Sequence, residues 1–268
     1  MATAISTQLL LGLLAVSTMM FVLWLVQCRT KNAGLVDFGW TAGIGIVGIF
    51  FAVTSPGYLP RRTLVGVLIG VWAFWLAMHL LVDRILGQPE EGRYRTLRAQ
   101  WGEDADRHLF LFFQLQAVVS LLFALPVLVV ARNPSPRLTG WDYLGVAIWI
   151  VAVGCTTLAD RQLRRFKRRP ESRGHVCREG LWRYSRHPNY FFEWLHWWAY
   201  AAMAVGSAWW WIPVAAPLIM LFFLLKVTGI PPTEAQALAS RGEEYRRYQR
   251  TTSAFIPWFP RNESGRLD

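Results

Sequence analysis

The chain has 268 residues, enough for one sizeable core, but 54% are hydrophobic and fifteen are Trp, too apolar a mixture to clothe a soluble core in polar surface. The net charge of +11 is concentrated in short connecting segments between long uncharged ones, which points to a membrane rather than to nucleic acid as the counterpart of the basic residues. Three isolated cysteines, Cys28, Cys155 and Cys177, form no CxxC pair and so indicate neither a disulfide framework nor a zinc or other metal centre.

A helix needs roughly 20 mostly apolar residues to cross the hydrocarbon layer, because every backbone polar group must be satisfied internally there. Stretches of that kind lie near 8–27, 35–54, 63–82, 109–131, 142–160, 188–205 and 208–228. The expectation is one all-α, polytopic membrane domain over 1–268, with about seven spans and a C-terminal amphipathic surface helix. The first stretch lacks a basic segment before it and has Arg29 after it, so it is expected to be a retained span rather than a cleaved leader. Between Arg161 and His187 there are ten Arg and Lys against Glu171 and Glu179, and further arginines follow Thr228. This asymmetry predicts a cytoplasmic C-terminus and an N-terminus outside, in a bacterial inner (plasma) membrane.

Ionisable side chains in apolar surroundings are the informative ones. Asp37 opens the second span, either as an acid favoured by the helix dipole or as a carboxyl group facing a cavity. On the third span His79 stands one turn before Asp83, with Arg84 next, either an imidazole oriented as a proton donor or a polar patch ending the span. The mixed charges of 88–107 predict an amphipathic helix on the membrane surface, with Arg93 or Arg95 alternatively forming part of a cofactor wall. Asp160 ends the fifth span and runs into Arg161-Gln-Leu-Arg-Arg-Phe-Lys167.

After that basic run comes Gly180-Leu-Trp-Arg-Tyr-Ser-Arg-His-Pro-Asn-Tyr190, with Glu193 inside the next span. Pro188 suits a helix's first turn, which places Asn189, Glu193 and His196–Trp197 on roughly one face. A carboxylate one turn inside a membrane helix needs a polar partner, and Arg is well shaped for phosphate. Tyr184, Arg186, His187, Asn189 and Glu193 therefore predict a basic, aromatic-lined cavity for an anionic, nucleotide-like ligand. Beyond the last span, Pro231-Pro232 is expected to break the helix and Thr233 to cap a basic amphipathic helix carrying Glu234 and Tyr245, whose Tyr and Arg residues could close a lid over the cavity. There is no GxGxxG, P-loop or HExxH motif, so any nucleotide would be held between membrane helices.

These segments resemble the membrane-embedded steroid 5-alpha-reductase superfamily, most closely a bacterial branch of it. The resemblance covers nearly the whole chain and rests on Asp37-Phe-Gly-Trp, His79 with Arg84, Arg93-Tyr-Arg95 with Trp101-Gly102, and Asp160 with its basic run. It also rests on Gly180–Tyr190, Glu193-Trp194, and the ending Tyr245 to Ile256-Pro257. It implies a seven-helix fold and NADPH as hydride donor, with Asp160, Arg164, Lys167, Asn189 and Glu193 at cofactor-contacting positions. It extends that expectation to Tyr184, Arg186, His187, Glu234 and Tyr245. The reductases' Gln-Glu pair is missing, Leu81 stands about where their substrate-holding Tyr would be, and Gly229–Pro232 replaces a histidine-rich stretch. The expected substrate is therefore a lipophilic enone, steroid- or isoprenoid-like, with Asp37 and His79 as the polar groups nearest in role to the missing pair. A similar RHPNY stretch occurs in isoprenylcysteine-methyltransferase-like enzymes, so an S-adenosylmethionine site using Glu193 and Glu234 is the alternative. A non-catalytic transporter is the second alternative, although neither two related halves nor paired broken spans are visible.

Overall fold

A computed structural model describes residues 4–262. Nine α-helices and no strand are found among the described residues: α1 Ile5–Thr30, α2 Leu35–Thr54, α3 Leu59–Leu80, α4 Gly92–Trp101, α5 Ala105–Ala131, α6 Gly140–Lys167, α7 Pro188–Met203, α8 Trp211–Phe222 and α9 Ile230–Thr251. Single wide turns extend α3 over Leu81–Ile85 and α8 over Phe223–Val227. Among the described residues six helical runs are long and apolar enough to cross a membrane. The expected sixth span forms a helix of only 16 residues, Pro188–Met203.

α1 shows why the surroundings must be lipid. Its buried residues are Gln8, Gly12, Val16, Met20 and Gln27, the first four recurring every four residues as one stripe. Leu10 and Leu14 on other faces are 67% and 61% exposed. Glutamines inside and leucines outside invert the soluble pattern, which only an apolar solvent makes stable. Inside, Gln8 donates to the Thr54 hydroxyl at 2.6 Å and its carbonyl accepts from Arg132 at 2.7 Å.

The chain divides into two compact units, Met1–Thr139 with Ala204–Ile212, and Gly140–Met203 with Pro213–Asp268. In the first, α2 packs against α1, α3 and α5. A Cβ on Gly45 would overlap the Ala73 side chain, and one on Gly43 would meet Val16 and Ser120 at 3.0 and 3.2 Å, so small residues let these helices close up. In the second, α6 packs along α7, with Gly145 against the Ala199 carbonyl and the Met203 side chain.

Three expectations are corrected. The fifth span does not end at Asp160: the basic run 161–167 continues it as the last two turns of α6. The segment 88–107 is not one surface helix: α4 ends at Trp101, a 3-10 turn follows, and Tyr94 is buried at 3% exposure against the first unit's core. Pro231 and Pro232 do not break the helix but sit in the first turn of α9, where a missing N–H costs nothing. The chain turns earlier, at Thr228–Gly229, where a Cβ on Gly229 would meet the Leu224 carbonyl at 2.7 Å. Thr233 accordingly lies inside α9 and its hydroxyl donates back to the Gly229 carbonyl at 2.8 Å.

Candidate functional site

In the second unit the Gly180–Arg183 turn docks onto the end of α6. The Leu181 N–H donates to the Gln162 side-chain carbonyl at 2.9 Å, and the Trp182 indole N–H donates to the Ala159 carbonyl at 2.9 Å. Gly180 makes this possible: its φ is +57°, and a Cβ there would overlap Gln162. One residue beyond Ala159, Asp160 is buried and accepts a 3.0 Å hydrogen bond from the Asn189 amide in the first turn of α7. Asp160 and Asn189, both expected at cofactor-contacting positions, are thus joined by a hydrogen bond. Arg164 and Lys167 follow Asp160 at i+4 and i+7 on the same helix, hence on one face.

Arg186 and His187 face α9 instead, around Glu234. The Arg186 Nε donates to Glu234 Oε1 at 2.7 Å, His187 Nε2 lies 3.2 Å from the same oxygen and the Tyr245 hydroxyl 3.4 Å from it. Gln249 donates to Glu234 Oε2 at 2.8 Å. Arg186 Nη1 also donates to the carbonyls of Gln249 and Thr252 at 3.0 and 2.6 Å. The His187 ring stacks on Tyr190 with centroids 5.3 Å apart. Burial pushes the Glu234 carboxyl up, but hydrogen bonds from His187 and Arg186 and the Arg186 charge outweigh it and hold the group at about 2. Arg186, His187, Glu234 and Tyr245 therefore form one hub that ties the RHPNY stretch to the last helix.

Tyr184 lies beside this hub with its ring edge-on to Phe259, and its carbonyl accepts from the Trp258 N–H at 2.9 Å. Glu193, half-buried, sits one turn after Asn189 on α7. The Trp198 indole nitrogen, five residues further, is buried with no acceptor among the described residues.

Asp37 and His79 belong to the first unit, at the end where α2 begins and α3 finishes. Asp37 is paired with Arg93, and its other oxygen accepts from the Tyr94 hydroxyl at 2.9 Å. His79 Nδ1 lies 2.9 Å from Asp83, and its ring stacks on Trp75 with centroids 5.8 Å apart. Tyr94 is the residue missed from the sequence. The signal was present in Arg93-Tyr-Arg95, but nothing local tells which of the three turns back towards α2.

Among the described residues one cavity of about 560 Å³ lies in the second unit, lined by Arg178, Arg183, Arg247 and Arg261 with Thr251, Thr252, Pro260 and Asn262. None of these is among the residues expected to bind cofactor or substrate. The four arginines come from separate stretches of sequence, so no motif announces them.

A family model described as a protein of unknown function (DUF1295) matches residues 23–252, a range that holds every candidate residue from Asp37 to Tyr245. No curated protein and no solved structure matches the chain.

Proposed function

The chain belongs to the DUF1295 family, and we propose that it is a membrane reductase that uses NADPH to saturate a carbon–carbon double bond conjugated to a carbonyl in a lipophilic, steroid- or isoprenoid-like substrate. The observation that carries the reading is the Asp160–Asn189 pair, a buried carboxylate fixed by an amide at 3.0 Å, with two cations on the following turns of the same helix.

That donor set fits the cofactor. A carboxylate and an amide suit ribose hydroxyls and a nicotinamide amide, and Arg164 with Lys167 suits phosphates. NADPH, when bound, supplies the hydride. The protein's own contribution is orientation and stabilisation of the negative charge that develops on the substrate's carbonyl oxygen. Arg93, paired with Asp37, and His79 beside Asp83 are the first unit's hydrogen-bond donors for that role. Tyr94 donates its one O–H to Asp37 and so positions that carboxylate.

The methyl-transfer alternative asks Glu234 to meet a cationic cofactor. That carboxylate already accepts from Arg186, His187, Tyr245 and Gln249, which counts against it. The deciding test is the nucleotide that accompanies the detergent-purified protein, identified by mass spectrometry, with thermal shifts in NADPH, NADH and S-adenosylmethionine. Co-purified or stabilising NADPH is expected. Stabilisation by S-adenosylmethionine alone overturns the reading, and silence from all three returns the transporter to first place.

A further inference from the structure

We propose that the arginine-lined cavity of the second unit binds the phosphate of an anionic phospholipid from the membrane the protein spans, with the lipid's chains lying against the exposed Ile256, Trp258 and Phe259. This site uses none of the residues assigned to NADPH and stands whether or not the reductase reading does.

The cavity is built from three directions. Arg178 precedes the docked Gly180 turn, Arg183 ends it, Arg247 projects from α9, and Arg261 returns on the C-terminal segment. Among the described residues that line it there is no carboxylate, and four guanidinium groups share about 560 Å³ with hydroxyl, amide and apolar neighbours. The walls are fixed. Arg178 donates to the Glu244 carbonyl at 3.1 Å and lies over the Tyr248 ring, 5.3 Å from its centre. The Arg261 N–H donates to the Thr251 carbonyl at 2.8 Å, and the Trp258 N–H to the Tyr184 carbonyl at 2.9 Å. Like charges held this close favour a polyvalent anion, and a planar guanidinium meets phosphate oxygens two at a time.

The neighbouring stretch decides the source of that phosphate. Ile256, Trp258 and Phe259 are 59%, 59% and 61% exposed, immediately before the lining residues Pro260 and Arg261. Their backbone is irregular rather than helical, and such a backbone is not tolerated in hydrocarbon. Two large aromatic rings and an isoleucine exposed to water would be equally unfavourable. The boundary between headgroups and chains satisfies both conditions, and there Trp is at home and an arginine cluster meets lipid phosphate. A soluble nucleotide would leave the apolar flank without a function.

Delipidated, detergent-purified protein is offered dioleoyl-phosphatidylglycerol, dioleoyl-phosphatidylcholine, inorganic phosphate or ADP, and retention is read by native mass spectrometry beside thermal shift. With each arginine near an anionic surface contributing about 1 kcal/mol, phosphatidylglycerol is expected to be retained at least about tenfold over phosphatidylcholine. Replacing the exposed Arg183 and Arg261 together by Ala should remove most of that preference. Trp258→Ala with Phe259→Ala should weaken lipid retention and leave any inorganic phosphate binding unchanged. Equal retention of the two lipids by the unaltered protein overturns the proposal, independently of how any variant folds. So does a folded arginine variant that keeps the preference. Saturable binding of ADP or phosphate without a phosphatidylglycerol preference overturns it in favour of a soluble phosphate ligand.

Discussion

Glu234 shows how one side chain can set both architecture and acid tolerance. Its carboxylate accepts from Arg186, His187, Tyr245 and Gln249, so replacement by Gln leaves the Arg186 guanidinium, a side chain only 10% exposed, without its counter-ion. A loss of about 2–4 kcal/mol is expected, seen as a lower unfolding temperature in detergent. Because the folded carboxyl sits at about 2, below its ordinary 4.5, its stabilisation is present above pH 4.5 and fades as the pH falls towards 2. The unaltered protein should therefore lose thermal stability across that window more steeply than Glu234→Gln; parallel curves would refute the assignment. At the other candidate position, Tyr94→Phe removes one O–H and leaves Arg93 paired with Asp37. On an enone that the unaltered protein reduces, turnover should fall roughly 10- to 10²-fold, as expected when Asp37 loses a positioning hydrogen bond of about 1.5–3 kcal/mol, while the NADPH thermal shift persists. Unchanged turnover would remove Tyr94 from the chemistry, and loss of the shift would make it structural.

Between elements, the docking of the Gly180 turn on α6 joins Asp160 to Asn189, and it rests on a glycine. Gly180→Ala meets a positive φ and an overlap with Gln162, whereas Gly174, with φ +83°, has open space around its missing side chain. Gly180→Ala should cost about 1–3 kcal/mol, and Gly174→Ala less, since only backbone strain acts there. Unfolding temperatures of the two variants measured side by side check this; equal losses would mean that Gln162 yields without penalty. How far the elements were legible follows from the same kind of particulars. The apolar run 35–54 is an unambiguous signal and coincides with α2 to the residue, and Pro188 begins α7 as a first-turn proline should. The pairing of His79 with Asp83 was equally readable, being i, i+4 on one helix. The Asp160–Asn189 pair was legible through motif likeness rather than through spacing. The Glu234 hub joins residues 48 and 47 positions apart, and the arginine cavity gathers 178, 183, 247 and 261, so neither leaves a periodic trace. That α6 runs past Asp160 to Lys167 was not legible, because charge density alone does not say whether a helix continues past the apolar layer.

For the whole molecule the question is whether the short α7 crosses the membrane. Sixteen residues span about 24 Å at 1.5 Å each, against a hydrocarbon core of roughly 30 Å. Length alone would leave the crossing open, but the second unit's connections constrain it. Arg186, just before α7, is bonded to Glu234, just after α8, so the chain leaves from one polar face and returns to it. Trp209 and Trp210 lie between the two helices and Trp211 opens α8, 43%, 57% and 58% exposed, the aromatic pattern of a far interface rather than of a turn inside the membrane. The charges agree: ten basic residues precede α7 between Arg161 and His187, whereas residues 204–210 carry none. If α7 crosses, the positive-inside rule predicts the 161–187 segment and α9 together on the cytoplasmic face, with Gly206 outside. Alkaline phosphatase fused after Gly206 should be active and a fusion after Arg173 inactive, while a fluorescent protein at the C-terminus should light up in the cytoplasm. An inactive Gly206 fusion would make α7 and α8 a pair that enters and leaves by the same face, leaving five crossings and the two termini still on opposite sides.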